Sequence, residues 1–149
     1  MSASGELRVP VDKVEVELLL GDGRRRTGVM FVPPGSRLEE LLERGTAFLP
    51  VAEEGKVRLY APAGLACVTV RRGRATEATA DELPTERRAL RVRLRCGETL
   101  EGELQYVPWG GRVRTADLLN EAAATFALYG ASGAVTHISK LHVESVEEA

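Results

Sequence analysis

The chain has 149 residues, of which 44% are hydrophobic and 28% are charged, with 20 basic and 22 acidic side chains. A chain of this size can bury roughly 68–70% of the surface of its unfolded state, so we expect it to fold unaided. The formal net charge of −2 excludes an overall field that would attract a polyanion or an anionic membrane.

Residues 1–12 have the composition of a loose arm, and a first repeat follows at 13–71. Its opening run, KVEVELLLGDGRRRTG, alternates apolar and polar residues and turns at a glycine, which predicts a β-hairpin. A short helix should follow, with a capping box of Ser36 and Glu39 and a stop at Gly45. KVRLYAPAGLACVTV then predicts β-structure up to the end of the repeat.

A polar segment at 72–88 contains a proline and no apolar period, which predicts a linker. The second repeat, 89–147, opens with ALRVRLRCGETLEG, a second predicted hairpin. If its turn lies at 97–99, Arg93 stands opposite Glu103 and the register satisfies both faces of the strand pair. RVRTADLLNEAAATFALY and GAVTHISKLHVESV then repeat the helix and the closing strands.

The two repeats share a phrase, VPPGSRL at 32–38 and VPWGGRV at 107–113, and the match extends on both sides. The repeated unit is therefore predicted to be ββαββ. We expect a β-rich α+β protein whose tandem ββαββ repeats form two small-barrel-like halves, packed as a pseudo-dimer. Because an isologous dimer is the commonest association of identical units, duplicated halves are expected to reproduce one within a single chain.

The second repeat carries a motif of the form G-x-L, then R-x-x-D-x-L-N with a gap, then F. Its residues are Gly102, Leu104, Arg112, Asp117, Leu118, Asn120 and Phe126. This pattern resembles a family of small bacterial domains of unknown function, and the first repeat has Glu40 and Glu43 near its Asp and Asn positions. The hairpins are also similar, more distantly, to the opening of Sm-like small barrels. The bacterial family has no established activity that the resemblance would imply.

The repeated Val-Pro-x-Gly-x-Arg phrase joins a strand to a helix, and its first role is structural. The helix macrodipole disfavours an arginine at a helix start, so Arg37 and Arg112 should lie back on the sheet or pair with a carboxylate. The alternative is an anion or partner site, one in each repeat. Trp109 is the candidate aromatic anchor for a partner, and Tyr106 is a second aromatic beside it.

The chain has few residues of the types that catalysis requires. His137 and His142 are five apart in a β-rich segment, where odd spacing puts them on opposite faces and prevents a shared metal. Cys67 and Cys96 lie in no metal or redox spacing and are expected to be small buried residues. We expect neither catalysis nor a cofactor nor a metal.

Two functions remain. We expect a noncatalytic protein-binding or assembly and regulatory module, whose partner is another protein or a second copy of the chain. The alternative is an Sm-like nucleic-acid binder that uses arginine clusters, although glutamates lie near most of these arginines. No apolar stretch reaches the ~18 residues of a membrane span, and no signal-peptide pattern opens the chain. We therefore expect a cytoplasmic protein without membrane contact.

Overall fold

The computed structural model describes residues 12–71, 85–108, 113–121 and 123–149 of the chain. Strands hold 55% of these residues and helices 15%, which makes the protein β-rich, as the alternating runs predict. The strands are β1 (Asp12–Leu20), β2 (Arg25–Val32), β3 (Leu49–Glu53), β4 (Lys56–Tyr60), β5 (Leu65–Val70), β6 (Glu86–Leu94), β7 (Thr99–Tyr106), β8 (Thr125–Tyr129), β9 (Val135–Ser139) and β10 (Val143–Glu148). The helices are α1 (Leu38–Arg44), α2 (Thr115–Leu119) and two 3₁₀ helices, Pro62–Gly64 and Lys140–His142.

All ten strands belong to one open antiparallel sheet, in the order β10-β6-β7-β8-β9-β5-β1-β2-β3-β4. The first half of the molecule, residues 12–71, supplies β5-β1-β2-β3-β4. The second half, residues 85–149, supplies β10-β6-β7-β8-β9, which is the same order of equivalent strands. The pairing of β5 with β9 joins the two halves into one sheet.

The prediction of an α+β protein with two ββαββ barrels packed as a pseudo-dimer is therefore wrong, because the described structure is one open sheet with only two short α-helices. Each half has a fifth strand after its 3₁₀ helix, and the halves share a sheet instead of closing separately. The expected isologous contact is wrong too, because β5 pairs with β9 and not with its own counterpart, β10. The physical reason lies in β5, whose sequence LACVTV is almost entirely buried and pairs with a strand on each edge.

The register predicted for the second hairpin is also wrong. Arg93 stands opposite Thr99, and Glu103 stands opposite Ala89. The turn lies at 95–97, where Gly97 has φ of +97° and adopts the left-handed region that favours glycine. A three-residue hairpin loop needs such a residue at its last position, and the predicted turn placed the glycine first.

The helix α1 has the length and the apolar face that its sequence predicts. Leu38, Leu41 and Leu42 are buried, and Gly45 ends the helix with φ of +66°, which confirms the predicted stop. The predicted capping box of Ser36 and Glu39 is wrong. The N-cap residue is Arg37, and its side chain makes no capping hydrogen bond.

Each half has its own apolar core, and the halves share residues at one place. Among the described residues, the first core contains side chains of the first half alone, such as Leu18, Met30 and Val51. The second core is formed by the second half together with three residues of the first. These three residues are Leu19, Ala66 and Cys67. Strands β1 and β5 therefore have the first core on one face and the second core on the other.

The predicted arm and linker fall mostly on residues outside the described ranges. Strand β1 begins at Asp12, the last residue of the predicted arm. Strand β6 begins at Glu86, within the predicted linker.

Candidate partner-binding surface

The residues that the sequence pattern selected for partner binding fall into two groups. Trp109 and Arg112 lie outside the described residues. Arg37 is exposed at the start of α1 in the first half, whereas Tyr106 ends β7 in the second half. No hydrogen bond links Arg37 to Tyr106 in the part of the chain that the structure describes.

Tyr106 belongs to a network within the second half. Its hydroxyl donates to Glu86 Oε2 at 2.9 Å and accepts from Arg88 Nη2 at 3.0 Å, and the Arg88 guanidinium lies 5.1 Å from the ring centroid. Arg88 also donates to Val113 O at 2.7 Å and to Thr115 Oγ1 at 3.1 Å. These contacts tie β6 to the start of α2, so Tyr106 has a structural role.

The histidines and the cysteines are held in structural contacts. His137 is only 5% exposed, and burial holds its pKa below the ordinary value although Glu39, 3.8 Å away, opposes this. His142 donates through Nε2 to Ala63 O at 2.8 Å. Burial raises the pKa of the Cys67 thiol to about 12, while Cys96 is half-buried, not buried as the sequence predicts.

Several arginines of the hairpins, among them Arg25 and Arg91, lie beside carboxylates. Arg91 contacts Glu147 at 3.0 Å and Glu101 at 3.3 Å, and Arg25 contacts Glu17 at 3.0 Å and also Glu98. Paired in this way, these guanidinium groups contribute little positive potential to the surface.

The junction between the halves brings different surfaces together. From the first half come β5 and α1, and from the second comes the hairpin of β8 and β9. Thr69 and Thr136 face each other with their Oγ1 atoms 3.0 Å apart. The Glu43 carboxylate accepts hydrogen bonds from the N–H groups of Ala124 and Thr125, both at 2.8 Å, and from Thr125 Oγ1 at 2.9 Å.

The strand registers relate the halves residue by residue. Leu18 stands opposite Val68 in the first half as Val92 stands opposite Val146 in the second, so β5 corresponds to β10. The hairpin of β3 and β4 corresponds in the same way to that of β8 and β9. The equivalent residues are Ala52 and Tyr129, Val57 and Val135, Leu59 and His137, and Tyr60 and Ile138.

The outer hairpin face is the surface formed by Phe48, Val57 and Leu59, on the side of the β3–β4 hairpin that points away from the first core. These side chains are 61%, 60% and 61% exposed. Their counterparts Val135 and His137, at the junction, are 2% and 5% exposed. The same hairpin surface is therefore covered in the second half and open in the first.

The local residue pattern does not reveal the outer hairpin face. KVRLY has the alternation of a half-buried strand, and nothing in it shows that Val57 and Leu59 belong to the open side. That outcome depends on β4 being the last strand of the sheet.

Comparisons of the chain with models of protein families, with curated proteins and with solved structures give no match. None of the helices in the described ranges is long and apolar enough to cross a membrane.

Proposed function

We propose that the chain is a noncatalytic module for protein binding and assembly, built by internal duplication, and that it binds through the outer hairpin face. The observation that carries the proposal is the exposure of Val57 and Leu59, whose counterparts Val135 and His137 are buried on the strand that pairs with β5 of the first half. Grouped apolar side chains on a surface favour a protein contact. In the second half that contact is made within the chain itself.

The state of the reactive side chains supports a noncatalytic role. A nucleophilic cysteine needs a thiolate, but burial keeps the Cys67 thiol protonated at neutral pH. His137 is covered at the junction, and Nε2 of His142 is bonded to a main-chain oxygen. We also propose a cytoplasmic location, in keeping with the two free cysteines.

The alternative function is binding of nucleic acid through the arginine clusters. The ion pairs of Arg25 and Arg91 with neighbouring glutamates favour the protein-binding role, because a paired guanidinium has less to gain from a phosphate. The resemblance of each half to the small bacterial domain family remains part of the proposal, and it adds no activity to it.

A photo-cross-linking residue at position 59 tests the proposal in the native host, and position 27 on β2, which is also exposed, is the matched control. We expect protein adducts from position 59 that the substitution Val57→Asp reduces, and few from position 27. Adducts with nucleic acid, or equal protein adducts from both positions, would contradict the proposal. A titration with RNA and DNA oligonucleotides at low salt should show no salt-dependent binding.

A further inference from the structure

The two surfaces that meet at the junction of the halves are each repeated at an end of the sheet. The counterpart of β5 and α1 is β10 with α2 at one end, and the counterpart of the β8–β9 hairpin is the β3–β4 hairpin at the other. Among the described residues, β4 pairs with β3 alone and β10 pairs with β6 alone. A contact between two unlike surfaces is heterologous, so it can be repeated from one chain to the next.

We propose that β4 of one copy pairs antiparallel with β10 of a second copy, in the register that β9 and β5 use inside the chain. The inference rests on the proposed function, because the occupant of the outer hairpin face is then a second copy of this chain. Transfer of the internal register places Tyr60 opposite Ser145, Leu59 opposite Val146, Arg58 opposite Glu147 and Val57 opposite Glu148.

Charge complementarity supports this register. Inside the chain, Thr69 contacts Thr136 across the junction. At the contact between two copies, the equivalent positions hold Glu147 and Arg58, which would place opposite charges directly across the strand pair. The Arg58 side chain is 56% exposed and lies 3.9 Å from Glu53, and the Glu147 side chain is 65% exposed and lies 3.0 Å from Arg91. Because exposed ion pairs contribute little to stability, little is lost when Arg58 and Glu147 turn to each other.

The charges of the two edges also select between modes of association. Strand β4 carries Lys56 and Arg58, whereas β10 carries Glu144, Glu147 and Glu148. Two copies of β4, or two copies of β10, would place like charges together, while β4 and β10 attract each other. The charges therefore favour head-to-tail pairing over a symmetric edge-to-edge dimer.

An open concavity beside β4 has the place and the charge of an acceptor for the second copy. Its lining includes Leu20, Tyr60, Arg26 and Arg58, together with Arg24 and Asp22, which form an ion pair at 2.7 Å. The equivalent place in the second half is filled by Leu19, Ala66 and Cys67 of the first half. The registers make Arg93, Glu144 and Ser145 the counterparts of these three residues. An apolar surface thus fills the inner acceptor, whereas a polar surface, in which Arg93 lies 3.8 Å from Glu144, would face the outer one.

The exposed apolar side chains fall on the same two surfaces. Within the described ranges, the large exposed apolar residues are Phe48, Val57, Leu59 and Leu141. The first three form the outer hairpin face. Leu141 is 73% exposed, and its equivalent in the first half is Ala63. The carbonyl oxygen of Ala63 accepts a hydrogen bond from His142 across the internal junction. The contact between copies would therefore cover all four, and its polar share makes it weaker than the internal junction and sensitive to salt.

Charge reversal and sedimentation of the full chain test the proposal. The wild-type chain should form larger species as its concentration rises, and salt should reduce them. Arg58→Glu and Glu147→Arg should each weaken association at least about tenfold, and their combination should restore it. Glu101→Arg is the matched control, because Glu101 also contacts Arg91 but lies on β7, away from the edge.

Disulfide trapping gives a second readout that does not depend on the stability of the reversed variants. In a Cys96→Ser background and with a mild thiol oxidant added, Arg58→Cys with Glu147→Cys should link chains into oligomers, because directly opposite residues of an antiparallel pair lie within disulfide range. Links formed by Arg58→Cys alone, or a wild-type chain that stays monomeric at every concentration, would overturn the inference. If position 59 still cross-links to other proteins in that case, the protein-binding proposal stands and its homotypic form falls. If position 59 gives no protein adduct at all, both fall.

Discussion

The carboxylate of Glu43 should be a principal tie between the two halves, and Glu43→Ala measures its contribution. It accepts three hydrogen bonds, from the N–H groups of Ala124 and Thr125 and from the Thr125 hydroxyl, all between 2.8 and 2.9 Å. Burial acts to raise the pKa of Glu43, but these hydrogen bonds hold it below the ordinary value. The charged carboxylate is therefore the form that the junction stabilises.

The magnitude follows from these contacts. A hydrogen bond to a charged group contributes about 1.5–3 kcal/mol when it is well shielded. Glu43 is exposed, and water can replace most of each bond, so we expect the loss of all three to lower the free energy of unfolding by about 1–2 kcal/mol. For a chain of this size the Tm should fall by roughly 3–6 °C.

Guanidinium chloride unfolding of Glu43→Ala and Glu40→Ala gives the comparison, since Glu40 is exposed on the same helix. Hydrogen exchange should also show faster exchange of the Ala124 and Thr125 amides in Glu43→Ala alone. The contribution of Glu43 should be present above its unfolded pKa and disappear as the pH falls through its lower folded pKa. Equal stability of the two variants, with unchanged exchange at Thr125, would refute the reasoning.

Three further outcomes are expected. Gly28→Ala should destabilise the protein by about 1–3 kcal/mol, measured by chemical denaturation, because a Cβ there would lie 2.5 Å from Ala52 O. Gly102→Ala, whose Cβ would lie 3.1 Å from its nearest neighbours, should cost less, and the reverse order would contradict the packing argument. Since the pKa of His137 is lowered in the folded state, the unfolded chain takes up the proton first. Stability should therefore fall below about pH 6.5, by at most about 1.4 kcal/mol per pH unit, and a pH profile unchanged in His137→Gln would argue against it. Thiol labelling of the native protein should modify Cys96 before Cys67, and rapid labelling of Cys67 would show that its burial is not maintained.

Local patterns in the sequence were sufficient for the elements themselves. The alternation of KVEVELLL and ALRVRLR indicates strands, and each run forms the first strand of its own hairpin. The leucines of α1 and the stop at Gly45 were visible because helix period and glycine conformation depend on neighbouring residues only. The capping box failed because Ser36 lies one residue before the N-cap, a shift that sequence signals do not resolve.

The register of the second hairpin and the location of the partner surface required longer-range information. In the observed register Arg91 stands opposite Glu101, so opposite charges meet across the hairpin in either register. Charge matching alone therefore does not distinguish the registers, and the backbone conformation of Gly97 decides between them. The pattern that pointed to Trp109 and Tyr106 could not show that the Tyr106 hydroxyl is bonded within its own half.

By itself, the sequence determined that the chain is β-rich and that its elements recur in one order, because strand alternation, turn glycines and helix period are properties of a few adjacent residues. Only the tertiary structure decided that the halves share one sheet through β5 and β9, since edge pairing joins segments far apart in the chain. That pairing buries Val135 and His137 and leaves Val57 and Leu59 exposed. The outer hairpin face exists because β4 has a strand on one edge only within the described structure, and position in a sheet is not written in the residues of the strand.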